Sequence, residues 1–163
     1  MWATSVDTLE FRTADPLDED VSGLVRLHLE FGRASSPPED AHALEVDELL
    51  DPSIVLFAAH SDDEMLAVGA LKEIDDDHAE VKTMHTVEWA RGRGVGRAML
   101  DHLLAEARRR GYRRVSLETG SMDVFAPARS LYRGAGFSLC DSFGDYRPSP
   151  NSVYMTLSLD EAV

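Results

Sequence analysis

The stretch Glu80-Val-Lys-Thr-Met-His-Thr-Val-Glu-Trp-Ala-Arg-Gly-Arg-Gly-Val-Gly-Arg97, running on into Ala98-Met-Leu-Asp-His-Leu-Leu-Ala-Glu-Ala107, decides the reading of this chain. A β-prone segment gives way to a glycine-rich turn, and the turn opens a helix with an apolar stripe. The first N–H groups of such a helix lack intrahelical partners and sit at the positive end of its dipole, so the junction is an anion cradle. Gly92, Gly94 and Gly96 let the main chain curl towards a ligand, Val95 adds a backbone N–H, and Arg91, Arg93 and Arg97 supply positive charge. The spacing is R-x-x-G-x-G, not the dinucleotide pattern G-x-G-x-x-G, and no Lys-Ser/Thr pair follows the last glycine as a triphosphate loop requires.

Outward from the cradle, the chain reads as one domain over residues 1–163. Thr8–Thr13 alternates as a strand, and Asp15-Pro16 opens a helix running to Gly32 with Val21, Leu24, Val25, Leu27, His28 and Phe31 on its stripe. His28 reads as a packed or edge histidine, with a role in an acceptor site as the alternative. A second helix is expected from Pro37-Pro38-Glu39 to about Leu50, closed by Asp51-Pro52. Strands follow over 53–59, 65–74 and 78–87, with Gly69 marking a bulge or close packing. After the cradle helix, Arg108–Arg110 complement its dipole and Gly111 stops it. A strand over 112–118, a helix over 123–135 with Pro127 in its first turn, and strands over 137–140 and 153–159 complete the order β-α-α-β-β-β-α-β-α-β-β. That order predicts an α/β (α+β) chain with a mixed, mostly antiparallel sheet of about seven strands and helices on both faces.

Charge and composition narrow the function. The formal net charge is −14, with 22 acidic and 5 basic residues through Ala90 but 8 acidic and 11 basic residues from Arg91 onward. The later half suits an anion, whereas the acidic remainder repels nucleic acid and suits a cationic amine. Cys140 is the one cysteine, so neither a disulfide framework nor a cysteine zinc site is available. Asp75–Asp77 reads as a solvated hairpin tip because calcium-loop spacing is absent, and no metal is expected. No apolar run spans a membrane and no secretory pattern opens the sequence, which makes a cytoplasmic protein the expectation.

Arg91, Gly94 and Gly96, together with Leu131-Tyr132 and Gly136-Phe137, resemble the GCN5-related N-acetyltransferase (GNAT) superfamily. Its members grip the pyrophosphate of acetyl-CoA with (Gln/Arg)-x-x-Gly-x-(Gly/Ala) and carry Leu-Tyr-x-x-x-Gly-Phe near the acyl site. The resemblance implies the acyl-CoA N-acyltransferase fold, in which the fourth and fifth strands run parallel and splay apart around the pantetheine arm. It implies acetyl-CoA as co-substrate, held by residues 91–97 and by the main chain of Met84, His85 and Thr86. It also implies Tyr132 as the general acid for the departing thiolate. The position seven before Tyr132, often Asn in the superfamily, is Phe125, while Ala128 matches. Glu80-x-Lys82-x-Met84, Leu117-Glu-Thr-Gly120 and Ser142-Phe-Gly-Asp-Tyr146 look like a group of small, poorly characterised bacterial acetyltransferases, which brings Glu118, Thr119 and Tyr146 to the acceptor side.

The expected activity is direct transfer of acetyl from acetyl-CoA to a primary amine of a small molecule, since Cys140 lacks an activating partner. Glu80 and Glu118 are the candidate general bases, ahead of His85, and Glu88 is a further carboxylate at the entry to the cradle. Strict alternation sets Glu80, Lys82, Met84 and Thr86 on one face and His85 on the other, unless a bulge resets the register. A protein-acetylating enzyme, a non-catalytic acyl-CoA sensor and an acetyltransferase-like structural partner, homodimeric through its last strands, are the alternatives. No nucleic-acid or membrane partner is expected.

Overall fold

A computed structural model describes residues 8–159, so the proposed domain limits at 1 and 163 fall outside it. Seven strands, β1 (Glu10–Thr13), β2 (Ile54–Ser61), β3 (Glu64–Asp75), β4 (His78–Thr86), β5 (Arg114–Gly120), β6 (Ser138–Cys140) and β7 (Ser152–Ser158), form one sheet in the order β1-β2-β3-β4-β5-β7-β6. Every neighbouring pair is antiparallel except β4 and β5, which are parallel. Helix α1 (Glu19–Ser35) covers one face, and α2 (Val95–Arg109) lies on the other with α3 (Ala126–Gly134).

The helices form where the apolar spacing has a sheet face to meet. Val95, Met99, Leu100, Leu103, Leu104 and Ala107 of α2 are buried against Val81, Val115, Leu117 and Met155. Val21, Leu24 and Val25 of α1 are buried against Leu56, Ala58, Val68 and Ala70. Each buried Val, Leu or Met side chain contributes roughly 1.5–3 kcal/mol, enough to set which face each helix takes. Gly111, at φ 88°, ends α2 as its position suggests, and Pro127 lies in the first turn of α3.

Three expectations change. Asp15-Pro16 does not start α1: the Asp15 carboxylate accepts from Leu17 N at 2.9 Å, making a local turn, and the helix begins four residues later at Glu19. The helix also runs on through Gly32 to Ser35. The second helix does not form; short 3-10 turns at Pro38–Asp40 and Asp47–Leu50 flank an irregular run. Residues 41–46 offer little beyond Leu44 and Val46 for a helical stripe, and Asp40 and His42 are drawn to the loop before β7 instead. Asp40 Oδ2 accepts from Ser149 Oγ at 2.9 Å and Asn151 Nδ2 at 3.0 Å, while His42 meets the Tyr146 ring edge to face at 4.9 Å.

Two irregularities in β4 shape everything around it. Its pairing with β5 consists of His78↔Arg114, Ala79↔Val115 and Glu80↔Ser116, and beyond these both strands continue unpaired with each other. Its pairing with β3 passes from Val68↔His85 to Ala70↔Lys82, so three steps on β4 match two on β3. Thr83 sits in this bulge at φ 54°, a conformation rare for a β-branched residue.

The glycine in β3 answers to packing. A Cβ at Gly69 would lie 2.8 Å from Met99 Cγ, 2.9 Å from its sulfur and 3.1 Å from Leu103 Cδ1, both side chains being fully buried. Gly69→Ala should therefore lower unfolding free energy by about 1–3 kcal/mol through overpacking, read from denaturant titration. An unchanged midpoint would mean that α2 can move off the sheet at little cost.

Candidate active site

Where β4 and β5 part, a cleft of about 650 Å³ opens through the sheet, running from the start of α2 to the loop around Tyr146. At one end lies the glycine turn. Gly94, at φ 85°, is the N-cap residue of α2 and supplies no side-chain cap. The first helical N–H to find an intrahelical acceptor is that of Ala98, on Gly94 O at 3.0 Å, which leaves those of Val95, Gly96 and Arg97 for a ligand. Gly92, at φ 75°, has open space where a side chain would stand, and a Cβ at Gly96 would meet Leu131 and Thr86 only at 3.6 and 3.7 Å. This end therefore fits a phosphate approaching along the helix axis.

The arginines are deployed less uniformly than their spacing suggests. Arg91 lines the cleft, with Nε donating to Thr86 O at 3.2 Å and a terminal nitrogen 3.2 Å from His85 Nε2. Arg97 binds Asp101 at 3.0 Å and Gly134 O at 3.2 Å, tying α2 to the end of α3. Arg93 is exposed and, like Glu88, does not line the cleft. Val95 faces the core, so only its backbone is turned to the turn.

The bulge at Thr83 reverses the face assignment made by alternation. Glu80, Lys82 and His85 share the α1 side, whereas Met84 packs into the α2 core and Thr86 Oγ1 lies beside Gly96. Glu80, 4% exposed, receives two donors on one oxygen: Lys82 Nζ at 3.1 Å and the Tyr146 hydroxyl. Lys82 also contacts the Tyr146 hydroxyl at 2.7 Å and lies 5.4 Å from its ring centre. Burial, then the Glu80 charge, drives the Tyr146 hydroxyl well above its ordinary range, so it stays a donor. Glu80 is thus committed to holding a buried triad.

Glu118, on β5 across the gap, lines the same cleft without an ion-pair partner among the described residues. Burial pushes its carboxyl up to about 7. Tyr132 of α3, also in the lining and 9% exposed, rests its ring edge to face on Phe137 with centroids 6.0 Å apart. Burial, with the Glu118 charge adding to it, raises its hydroxyl to about 12, so it keeps its proton at neutral pH. His85 is not free to act as a base: Arg91 takes one ring nitrogen and His28 the other.

Other lining residues lie outside the two motifs; Phe125 and His28 are singled out along the chain, whereas Asp40, His42 and Phe31 have no site role there. Phe125 packs directly against Gly120, where a Cβ would come within 2.2 Å of its ring, and meets Phe31 of α1 at 5.4 Å. An aromatic wall therefore replaces the polar contact that the superfamily often has there. Asp40 and His42 reach the cleft because residues 38–50 are irregular, and Phe31 and His28 arrive on the polar margin of α1. Among the described residues no group of three or more His, Cys, Asp or Glu is placed to hold a metal, and no helix is long and apolar enough to cross a membrane.

A seven-stranded sheet parted between parallel β4 and β5 above an uncapped helix start defines the acyl-CoA N-acyltransferase fold. The sequence model of the acetyltransferase (GNAT) family matches residues 21–137, and the chain belongs to that family. It is 44% identical over 151 residues to an uncharacterized N-acetyltransferase, YsnE, of Bacillus subtilis, covering 93% of this chain and 100% of that one. A second uncharacterized N-acetyltransferase, YedL of Escherichia coli, is 37% identical, covering 92% and 94%. Among solved structures, a putative acyl-CoA N-acyltransferase from Klebsiella pneumoniae superposes with a TM-score of 0.75 at 24% identity, covering 93% of this chain and 97% of that chain. An acetyl-CoA-bound GNAT acetyltransferase from Elizabethkingia anophelis does so at 0.70 and 17% identity, covering 94% and 99%. The chain is accordingly an acetyl-CoA-dependent N-acetyltransferase.

The triad gives a stability test. Lys82→Met strands the Glu80 carboxylate in a buried site and should cost roughly 3–5 kcal/mol, whereas the double variant Lys82→Met/Glu80→Gln should recover much of that loss. Additive losses in denaturant titration would show that the two side chains are not coupled.

Proposed function

We propose that this protein moves an acetyl group from acetyl-CoA directly onto the primary amine of a small molecule, with Tyr132 as general acid and Glu118 as the base on the acceptor side. The observation that carries the reading is the end of the β4–β5 ladder at Glu80↔Ser116, which frees main-chain groups of β4 directly above the uncapped start of α2. An extended ligand arm can pair with those groups as an added strand would. The cradle residues Arg91 to Arg97 then hold the pyrophosphate, chiefly through backbone N–H groups, with Met84, His85 and Thr86 contributing main-chain contacts. Acetyl-CoA supplies the activated acetyl thioester.

The chain's own groups cover the proton movements. A carboxyl with its pKa near 7 is half ionised at neutral pH, so Glu118 can relieve an arriving ammonium of its proton and leave a neutral nucleophile. Tyr132, protonated throughout the physiological range, can deliver a proton to a departing thiolate. Glu80 supports the site at one remove, by anchoring Tyr146 and Lys82. A small acceptor is favoured because the Asp40 clasp to Ser149 and Asn151 ties the segment after α1 to the loop before β7 and narrows the acceptor end of the cleft. With Glu80 balanced by Lys82, the carboxylates of Glu118 and Asp40 around that end favour a cationic one.

Acetyl-CoA titration by calorimetry, followed by thiol release against a panel of amines, tests the whole. Gly94→Val, which forces a branched side chain into the left-handed region, should weaken acetyl-CoA binding by about tenfold or more. Unchanged affinity would remove the cradle assignment.

A base that must be ionised, with its pKa raised to about 7, predicts a rate that climbs as pH rises through 7. Glu118→Gln should abolish that limb and lower turnover by roughly 10²–10⁴-fold, and Tyr132→Phe should lower turnover with little change in acetyl-CoA affinity. A Glu118→Gln enzyme that retains the same limb would disqualify Glu118.

A further inference from the structure

Two histidines from separate elements meet nitrogen to nitrogen on the α1 side of the cleft. The Nδ1 atoms of His28, on α1, and His85, just past the β4 bulge, are 3.1 Å apart, with their rings edge to face at 5.2 Å. The other nitrogen of His85, Nε2, lies 3.2 Å from the Arg91 guanidinium. A guanidinium is always charged and only donates, so His85 Nε2 has to accept. Burial, and after it the Arg91 charge, pushes His85 down to about 4, which leaves a neutral ring with its single proton on Nδ1. That N–H donates to His28 Nδ1.

The consequence falls on His28. Its ring is also held near 4, mainly by burial, so it is neutral, and with Nδ1 accepting it must carry its proton on Nε2. Any other arrangement either sets two N–H groups against each other or confronts Arg91 with a second donor, losing a bond in a partly buried site. His28 lines the cleft beside Phe31 and Gly32, and its one hydrogen bond to the described residues is through Nδ1, which leaves Nε2 to the cleft. A neutral N–H in such a wall calls for an oxygen. It cannot serve an ammonium, because the ring's lone pair is already used.

We propose that His28 is a specificity-determining residue for the acyl acceptor: locked by Arg91 and His85 as the Nε2–H form, it donates a hydrogen bond to an oxygen that the acceptor carries beside its amine. The inference rests on the small-amine reading and narrows it, from any amine to one bearing a carboxylate, carbonyl or hydroxyl. It also links the two ends of the cleft, since the arginine that fixes the His85 ring belongs to the cradle.

The first test does not depend on catalysis. Nitrogen-15 NMR of the labelled protein should find His85 protonated at Nδ1 only and His28 at Nε2 only, and the opposite form at either ring overturns the proposal. The second compares matched acceptors, an amino acid, its amide and its decarboxylated amine, in the parent, His28→Gln and His28→Leu. The oxygen-bearing acceptors should show kcat/KM about tenfold or more above the bare amine, mostly through acceptor KM. His28→Leu should erase that preference with acetyl-CoA KM unchanged, while His28→Gln, which keeps an N–H, should retain most of it. Equal kcat/KM for both kinds of acceptor in the parent, or an equal loss for both in His28→Leu, overturns the proposal. Should no amine be acetylated, the small-amine reading fails instead, and the His28 Nε2 resonance is followed while the same acceptors are titrated. Its movement with the oxygen-bearing compounds but not with the bare amine sustains the recognition role, and its indifference to both ends it.

Discussion

The structure depends on one broken ladder. A parallel pair gains a hydrogen bond at every step it continues, yet β4 and β5 stop exchanging bonds after Glu80 and Ser116 although both strands run on. Backbone groups left without partners are costly unless water or a ligand meets them, so the gap is stable only as a wet or occupied cleft. The sheet can tolerate it because β4 stays fastened to β3 and β5 to β7 along their other edges. Packing of α2, whose cluster takes in Leu71 and Val81 on one side of the gap and Val115, Leu117 and Met155 on the other, holds the two halves in place across the opening.

The bulge at Thr83 is the second device, and it works through parity. One extra residue carries His85 to the side of Lys82 and Glu80, and turns Met84 and Thr86 towards α2. Polar chemistry therefore gathers on the α1 side of the cleft and anchoring contacts on the other. On the polar side two closed systems form: Glu80 with Lys82 and Tyr146, and Arg91 with His85 and His28. In both, the partners bind one another, so neither Glu80 nor His85 is left free as a base, whereas Glu118 and Tyr132 line the cleft outside them.

Much of this was legible along the chain because the relevant physics is local. The glycine turn followed by an apolar helix announces an uncapped helix start with free backbone N–H groups, and the family match over residues 21–137 spans that stretch. Strand and helix order followed from periodicity, and the close approach of α2 at Gly69 from a glycine where a side chain was expected. The residues 38–50 were misread because Pro-Pro-Glu is a sound helix start, whereas the competing partners of Asp40 and His42, Ser149 with Asn151 and Tyr146, lie about a hundred positions away. No window of sequence contains both.

What the sequence determined by itself was the family, the layered sheet and the cradle, since each rests on spacing within one element or one turn. Tertiary structure alone decided which groups are available for chemistry. His85 has an unperturbed pKa suited to a base, and only the approach of α1 and the fold-back of Arg91 consume both its nitrogens. Glu80 and Glu118 are equivalent carboxylates on neighbouring strands until Lys82 and Tyr146 engage one of them and burial lifts the other to about 7. Protonation and hydrogen-bonding state are properties of a neighbourhood, and the neighbourhood is assembled from residues that the chain keeps far apart.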